Sequence, residues 1–166
     1  MKRIYTKTGD KGETGLRNGV RVAKDDFRIE VNGQIDQLNA QLGIVRSQLG
    51  DDEAARELIH AIQCELMTIM SHVATPEGNS NPRQLHTERL TQQMEQAIDE
   101  TQKEGGFVVP GNGSTLSAFI HLARTQTRTV ERRLWSLSRQ YAIDETILVM
   151  MNRLSDYLFV LANEKE

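Results

Sequence analysis

The chain has 166 residues, 38% hydrophobic and 26% charged, with a formal net charge of −3. That balance excludes a disordered chain, and no run approaches the roughly 20 apolar residues needed to span a bilayer. It also provides no global basic field, which excludes general nucleic-acid binding while leaving room for a local anion site built from a few cations.

Aromatic residues make up only 5% of the chain, which leans the fold toward helices. Cys64 is the single cysteine, so an intramolecular disulfide and a Cys-based zinc site are both excluded. His60, His72, His86 and His121 are scattered, without metal-site spacing. Met1, Lys2, Arg3 and Ile4 lack the apolar stretch of a signal peptide, so the expected location is the cytoplasm.

Residues 1–26 hold Gly9, Gly12, Gly15 and Gly19 amid charged residues and show no helical period. From Phe27 the pattern changes. Val31, Ile35, Leu38, Leu42, Val45 and Leu49 form one stripe of an amphipathic helix that ends at Gly50. A second helix is expected from Asp51–Asp52, with Leu58, Ile62, Leu66, Ile69 and Val73 inward and Pro76 as its stop. A third is expected over 83–103, with Leu90, Met94, Ala97 and Ile98 inward. A short extended segment and turn follow, from Phe107 to Gly113. The fourth helix starts near Ser114 on a stripe of Leu116, Phe119, Ala123, Thr127, Val130, Leu134, Leu137 and Tyr141. The fifth opens at the N-cap Asp144, with Ile147, Met151, Leu154, Leu158 and Leu161 inward. The expected fold is all-α: an up-down five-helix bundle over 27–163, preceded by the glycine-rich segment, in a single domain spanning 1–166.

The residues beside the stripes carry the chemistry. Arg124, Arg128, Glu131 and Arg132 share one face of the fourth helix. A solvated charged surface is one reading of that face. Phosphate binding is the other, because arginine holds phosphate in fixed geometry. Asp36 and Asn39 flank the seam of the first helix, and Asn152 lies near the seam of the fifth. Tyr5 to Gly15 is dense in hydroxyls, lysines and glycines, a composition that lets backbone N–H groups and ammonium groups approach an anion. It contains no P-loop pattern.

Four blocks together resemble one family. They are Ile4-Tyr5-Thr6-Lys7-Thr8-Gly9-Asp10-Lys11-Gly12, Gly33-Gln34-Ile35-Asp36-Gln37-Leu38-Asn39, Ala123-Arg124-(x)3-Arg128-(x)2-Glu131-Arg132, and Asn152-Arg153-Leu154-Ser155-Asp156-Tyr157-Leu158-Phe159. In this order they are similar to the ATP:cob(I)alamin adenosyltransferases of the propanediol-utilisation type. The resemblance implies a homotrimer with ATP, Mg²⁺ and corrinoid at the subunit boundaries. By matching position, Thr6, Lys7, Thr8, Gly9, Thr14, Gly15 and Lys24 would surround the nucleotide, completed by Arg128, Glu131, Arg132 and Asn152. Arg124 would pair across the interface with Asp36, and Phe107 would lie below the corrin ring. No protein metal ligand is implied. A reductase and an adenosylcobalamin-dependent client enzyme would be partners. Gln37, Thr129, Asn112 and Asn163 depart from the family pattern, and a C-terminal extension that covers the corrinoid is expected to be largely missing after Glu166. Outside the catalytic reading stand a non-catalytic corrinoid carrier and a structural helical oligomer.

Overall fold

A computed structural model describes Tyr5, residues 7–101 and residues 109–166. Five helices form among the described residues: α1 (Phe27–Gln48), α2 (Glu53–Val73), α3 (Thr87–Glu100), α4 (Thr115–Ser138) and α5 (Glu145–Glu164). Each of α1, α2, α4 and α5 starts at an acid or serine that accepts a backbone N–H: Asp26, Asp52, Ser114 and Asp144. Helix α1 packs on α2 and α4, α5 packs on α4 and α3, and α2 touches α3. No helix of the described residues is long and apolar enough to cross a membrane.

The stripes sit close to their expected positions, with local shifts. On α2 Leu58 is only half-buried, while Ala55 and Ile59 enter the core. On α4 Leu116 and Phe119 are partly buried against the core, and Ile120 is fully buried. Tyr141 lies beyond the helix end and stacks under Arg28, whose Cζ is 4.6 Å from the ring centroid. The core also takes Met150 and Leu148 on α5, beside Met151. A helix packed on two neighbours buries a wider arc than one stripe.

Helix α3 is shorter than expected at its start, because residues 81–86 spend polar groups on a local turn bond and on bonds to α2 instead of on helical ones. The Arg83 N–H donates to Asn81 Oδ1 at 3.0 Å, and the Arg83 carbonyl lies 2.8 Å from His72 Nε2. The His86 N–H donates to Glu65 Oε1 at 2.7 Å. Glu65 is only 4% exposed, so this carboxylate on α2 anchors the entry to α3. Glu65→Ala should remove the acceptor that holds the His86 N–H and cost about 1 kcal/mol or more. A lower urea midpoint at unchanged slope would record it.

The first 26 residues hold what periodicity does not disclose. Strands β1 (Glu13–Gly15) and β2 (Arg21–Ala23) form an antiparallel hairpin, with Thr14 opposite Val22. Its loop closes by Leu16 N–H donating to the Val20 carbonyl at 2.7 Å, with Gly19 at φ +78°. The Arg17 N–H donates to the Ala74 carbonyl at 2.9 Å, and Asn18 bonds Asn79 at 3.1 Å. The hairpin is thereby pinned to the C-terminal end of α2.

Candidate functional site

Six of the expected nucleotide residues gather on or beside this hairpin. Lys7 takes a left-handed backbone conformation, φ +61°, at the start of the turn. The Thr8 carbonyl accepts from Arg21 Nη2 at 2.8 Å. The turn then curls back: Gly12 N–H donates to the Gly9 carbonyl at 3.3 Å, and Lys24 N–H to the Gly12 carbonyl at 2.9 Å. A Cβ at Gly9 would just touch Cε and Nζ of Lys24, each at 3.4 Å, so the Lys24 ammonium lies against the turn at Gly9. Thr14 and Gly15 sit in the ladder itself. Lys24 and the peptide groups of the Gly9–Gly12 turn thus lie together, with Lys7 opening the turn. Thr6 lies outside the described residues.

The second set lies on α4 and α5. Arg128 and Arg132 are exposed, while Arg124 and Glu131 are half-buried, and steps of three and four keep all four on one side of the helix. Arg132 Nη2 donates to Thr129 Oγ1 at 3.2 Å. Arg124 Nε donates to His121 Nδ1 at 3.2 Å, and its Cζ stands 6.0 Å from the Phe159 ring centroid. Burial, then the charge of Arg128, lowers the pKa of Arg124. Burial, then the charge of Arg124, lowers that of His121, against a smaller opposing pull from Glu166. Helix packing brings Glu131 and Asn152 into one open groove of about 530 Å³, walled by Trp135, Leu148 and Val149. Trp135, the only tryptophan, is 51% exposed there.

Asp36 is exposed on α1. Gln126 Nε2 donates to the Gln34 carbonyl at 3.0 Å and to Gln34 Oε1 at 2.9 Å, stitching α4 to α1. Arg28 on α1 meets Tyr141 just after α4, so the two helices run antiparallel. Asp36 and Arg124 are each two residues from the Gln34–Gln126 stitch and thus stand at the same level, on either side of the α1–α4 seam. Phe107 lies outside the described residues.

The profile of the family described as cobalamin adenosyltransferase matches residues 4–164. The chain belongs to the cobalamin adenosyltransferase family. It is 39% identical over 171 residues to a corrinoid adenosyltransferase of Citrobacter freundii, covering 100% of this chain and 96% of that protein. It is also 39% identical to one from Bacillus subtilis, covering 96% of this chain and 84% of that protein. Among solved structures, a variant PduO-type ATP:corrinoid adenosyltransferase from Lactobacillus reuteri, complexed with cobalamin and ATP, superposes with a TM-score of 0.87. The two are 32% identical, and the match covers 97% of this chain and 92% of that one.

Sequence reasoning misses the hairpin as a structure, and it passes over His121 and Trp135 as site neighbours. Their signal is spacing. His121 lies three residues before Arg124, and Trp135 four residues after Glu131, so each shares a helix face with its neighbour.

Proposed function

We propose that this chain is an ATP:corrinoid adenosyltransferase. It transfers the 5′-deoxyadenosyl group of ATP to Co(I) of a corrinoid. The cobalt lone pair attacks the 5′ carbon, the C5′–O bond breaks, and triphosphate leaves with that electron pair. Both reacting atoms belong to the substrates. The residues need to supply alignment and charge stabilisation rather than a general base. Full-length likeness to corrinoid adenosyltransferases is the observation that carries the reading.

The site residues take roles within it. Lys7, Lys24 and the turn at Thr8–Gly9, with Thr6, Thr14 and Gly15, embrace the nucleotide. Arg128 and Arg132 bind the triphosphate as its charge grows. Glu131 and Asn152 complete the pocket in their shared groove. Mg²⁺ takes phosphate oxygens and waters with only one or two carboxylates. Glu131, half-buried on the arginine face of α4, would lie near such a phosphate-bound ion as part of the nucleotide site, without serving as a dedicated metal ligand. Phe107 sits below the corrin ring, where an apolar side chain excludes water and a lower cobalt ligand.

A homotrimer supplies the two halves of the site from neighbouring subunits, with Asp36 of one meeting Arg124 of the next. Asp36 is exposed on α1, open to a partner from another subunit, which supports this. Cytoplasmic residence, a reductase that delivers Co(I) and an adenosylcobalamin-dependent client enzyme belong to the same proposal.

Mixing the protein, reduced cobalamin and ATP should yield light-sensitive adenosylcobalamin and one triphosphate per product. ATP binding without product would favour a carrier, and no ATP binding would favour a structural oligomer. The groove offers a second test. Because the sole tryptophan lines it, ATP alone should change the fluorescence of Trp135 saturably. An unchanged spectrum at saturating ATP would move the nucleotide out of the Glu131–Asn152 groove.

A further inference from the structure

We propose that His121 is a positioning residue for Arg124: its buried imidazole accepts the Arg124 Nε–H and aims the rest of the guanidinium at the neighbouring subunit. This rests on the adenosyltransferase reading, in which Arg124 serves the subunit boundary.

The chemistry of the bond fixes the ring. An arginine Nε–H can only donate, so Nδ1 of His121 must carry its lone pair and the proton of the neutral ring must sit on Nε2. His121 is only 3% exposed, and among the described residues its buried Nε2 has no hydrogen-bond partner. A buried, unsatisfied N–H is a stability defect that leucine, filling much of the same space, would not carry. What histidine adds at this position is the acceptor at Nδ1. Its bond at 3.2 Å leaves the Arg124 Nη1 and Nη2 groups as a fork suited to a carboxylate. Phe159 supports the same pair from α5, with its ring centroid 6.4 Å from that of His121 and 6.0 Å from Arg124 Cζ.

The surroundings keep the ring neutral. Burial and the charge of Arg124 both oppose a second proton on the ring, against a smaller opposing pull from Glu166. A protonated His121 would lose its acceptor and place another cation next to Arg124 and Arg128.

The test compares two replacements. Asparagine places Oδ1 near the position of Nδ1 and can accept the same N–H, whereas leucine cannot. His121→Leu should lower kcat about tenfold or more, while His121→Asn should stay within about threefold of the parent. In an Arg124→Lys background, His121→Leu should add less than about a twofold loss, because it acts through a partner already removed. Nitrogen NMR of the parent imidazole should show a protonated Nε2 and an unprotonated Nδ1 whose shift moves in Arg124→Lys.

A protonated Nδ1 in the parent would overturn the proposal. So would equal damage from the asparagine and leucine replacements, or additive losses in the double variant. The NMR result requires no turnover, and it decides the matter should His121→Leu fail to fold. If the parent makes no adenosylcobalamin, the adenosyltransferase reading fails. The spectra would still report whether His121 holds Arg124.

Discussion

Arg128→Ala should weaken ATP binding by about 10- to 100-fold and lower the rate of adenosyl transfer by at least as much. One charge-assisted contact to a phosphate contributes about 1.5–3 kcal/mol, and tenfold corresponds to about 1.4 kcal/mol. The rate should suffer further, because triphosphate gains charge as the C5′–O bond breaks. Arg128 is exposed on α4, so the substitution removes no core contact and should move stability by less than about 0.5 kcal/mol. Arg128→Lys should fall between parent and alanine, since it keeps the charge and loses the planar fork. Titration of ATP against Trp135 fluorescence reads the affinity, and product formation reads the rate. Affinity and rate both within twofold of the parent would remove Arg128 from the triphosphate site.

The arginine face is legible in the sequence because a helix translates spacing into geometry. Once α4 is assigned, Arg124, Arg128, Glu131 and Arg132 must share a side. The same rule locates the core, and it fails only locally. Leu58 is expected inward, yet Ile59 is the fully buried residue, because adjacent apolar residues satisfy the same stripe and the packed neighbour decides between them. The hairpin is illegible for a different reason. Its strands are three residues long, Glu13–Gly15 and Arg21–Ala23, too short for alternation to be distinguished from chance. Its position depends on Arg17 reaching the Ala74 carbonyl, a pairing between distant residues.

The groove requires tertiary register as well. Nothing in the sequence sets Asn152 opposite Glu131 until α4 and α5 are packed. Weighing His121 with the other histidines for metal spacing hides its role. Its neighbour at i+3 is the more informative comparison. Thr6 and Phe107, both expected from the family resemblance, lie outside the described residues.

Reversing charges at Asp36 and Arg124 should give the most diagnostic result for assembly. In the proposed homotrimer each pair would occur three times, so one substitution would alter every interface. Within a single chain the two residues stand level beside the α1–α4 seam, two residues along from the Gln34–Gln126 bonds. Arg124 is half-buried and held through Nε, which leaves it partly desolvated before a partner arrives. Removing one member of a buried pair costs about 3–5 kcal/mol, because the other charge is left uncompensated. Asp36→Arg would face Arg124 with a like charge, and Arg124→Asp would face Asp36 with one.

Each single reversal should therefore shift the assembly toward monomer and reduce activity by about 100-fold or more. The monomeric bundle should remain helical, since neither side chain belongs to the core. Combining Asp36→Arg with Arg124→Asp restores opposite charges at all three boundaries. Assembly should return in sedimentation, while activity should return only in part, because the shorter carboxylate introduced on α4 has no Nε–H for His121 to hold. A double variant as monomeric as either single would place the two residues in separate contacts. Full recovery of both assembly and activity would reduce Arg124 to a replaceable half of a salt bridge.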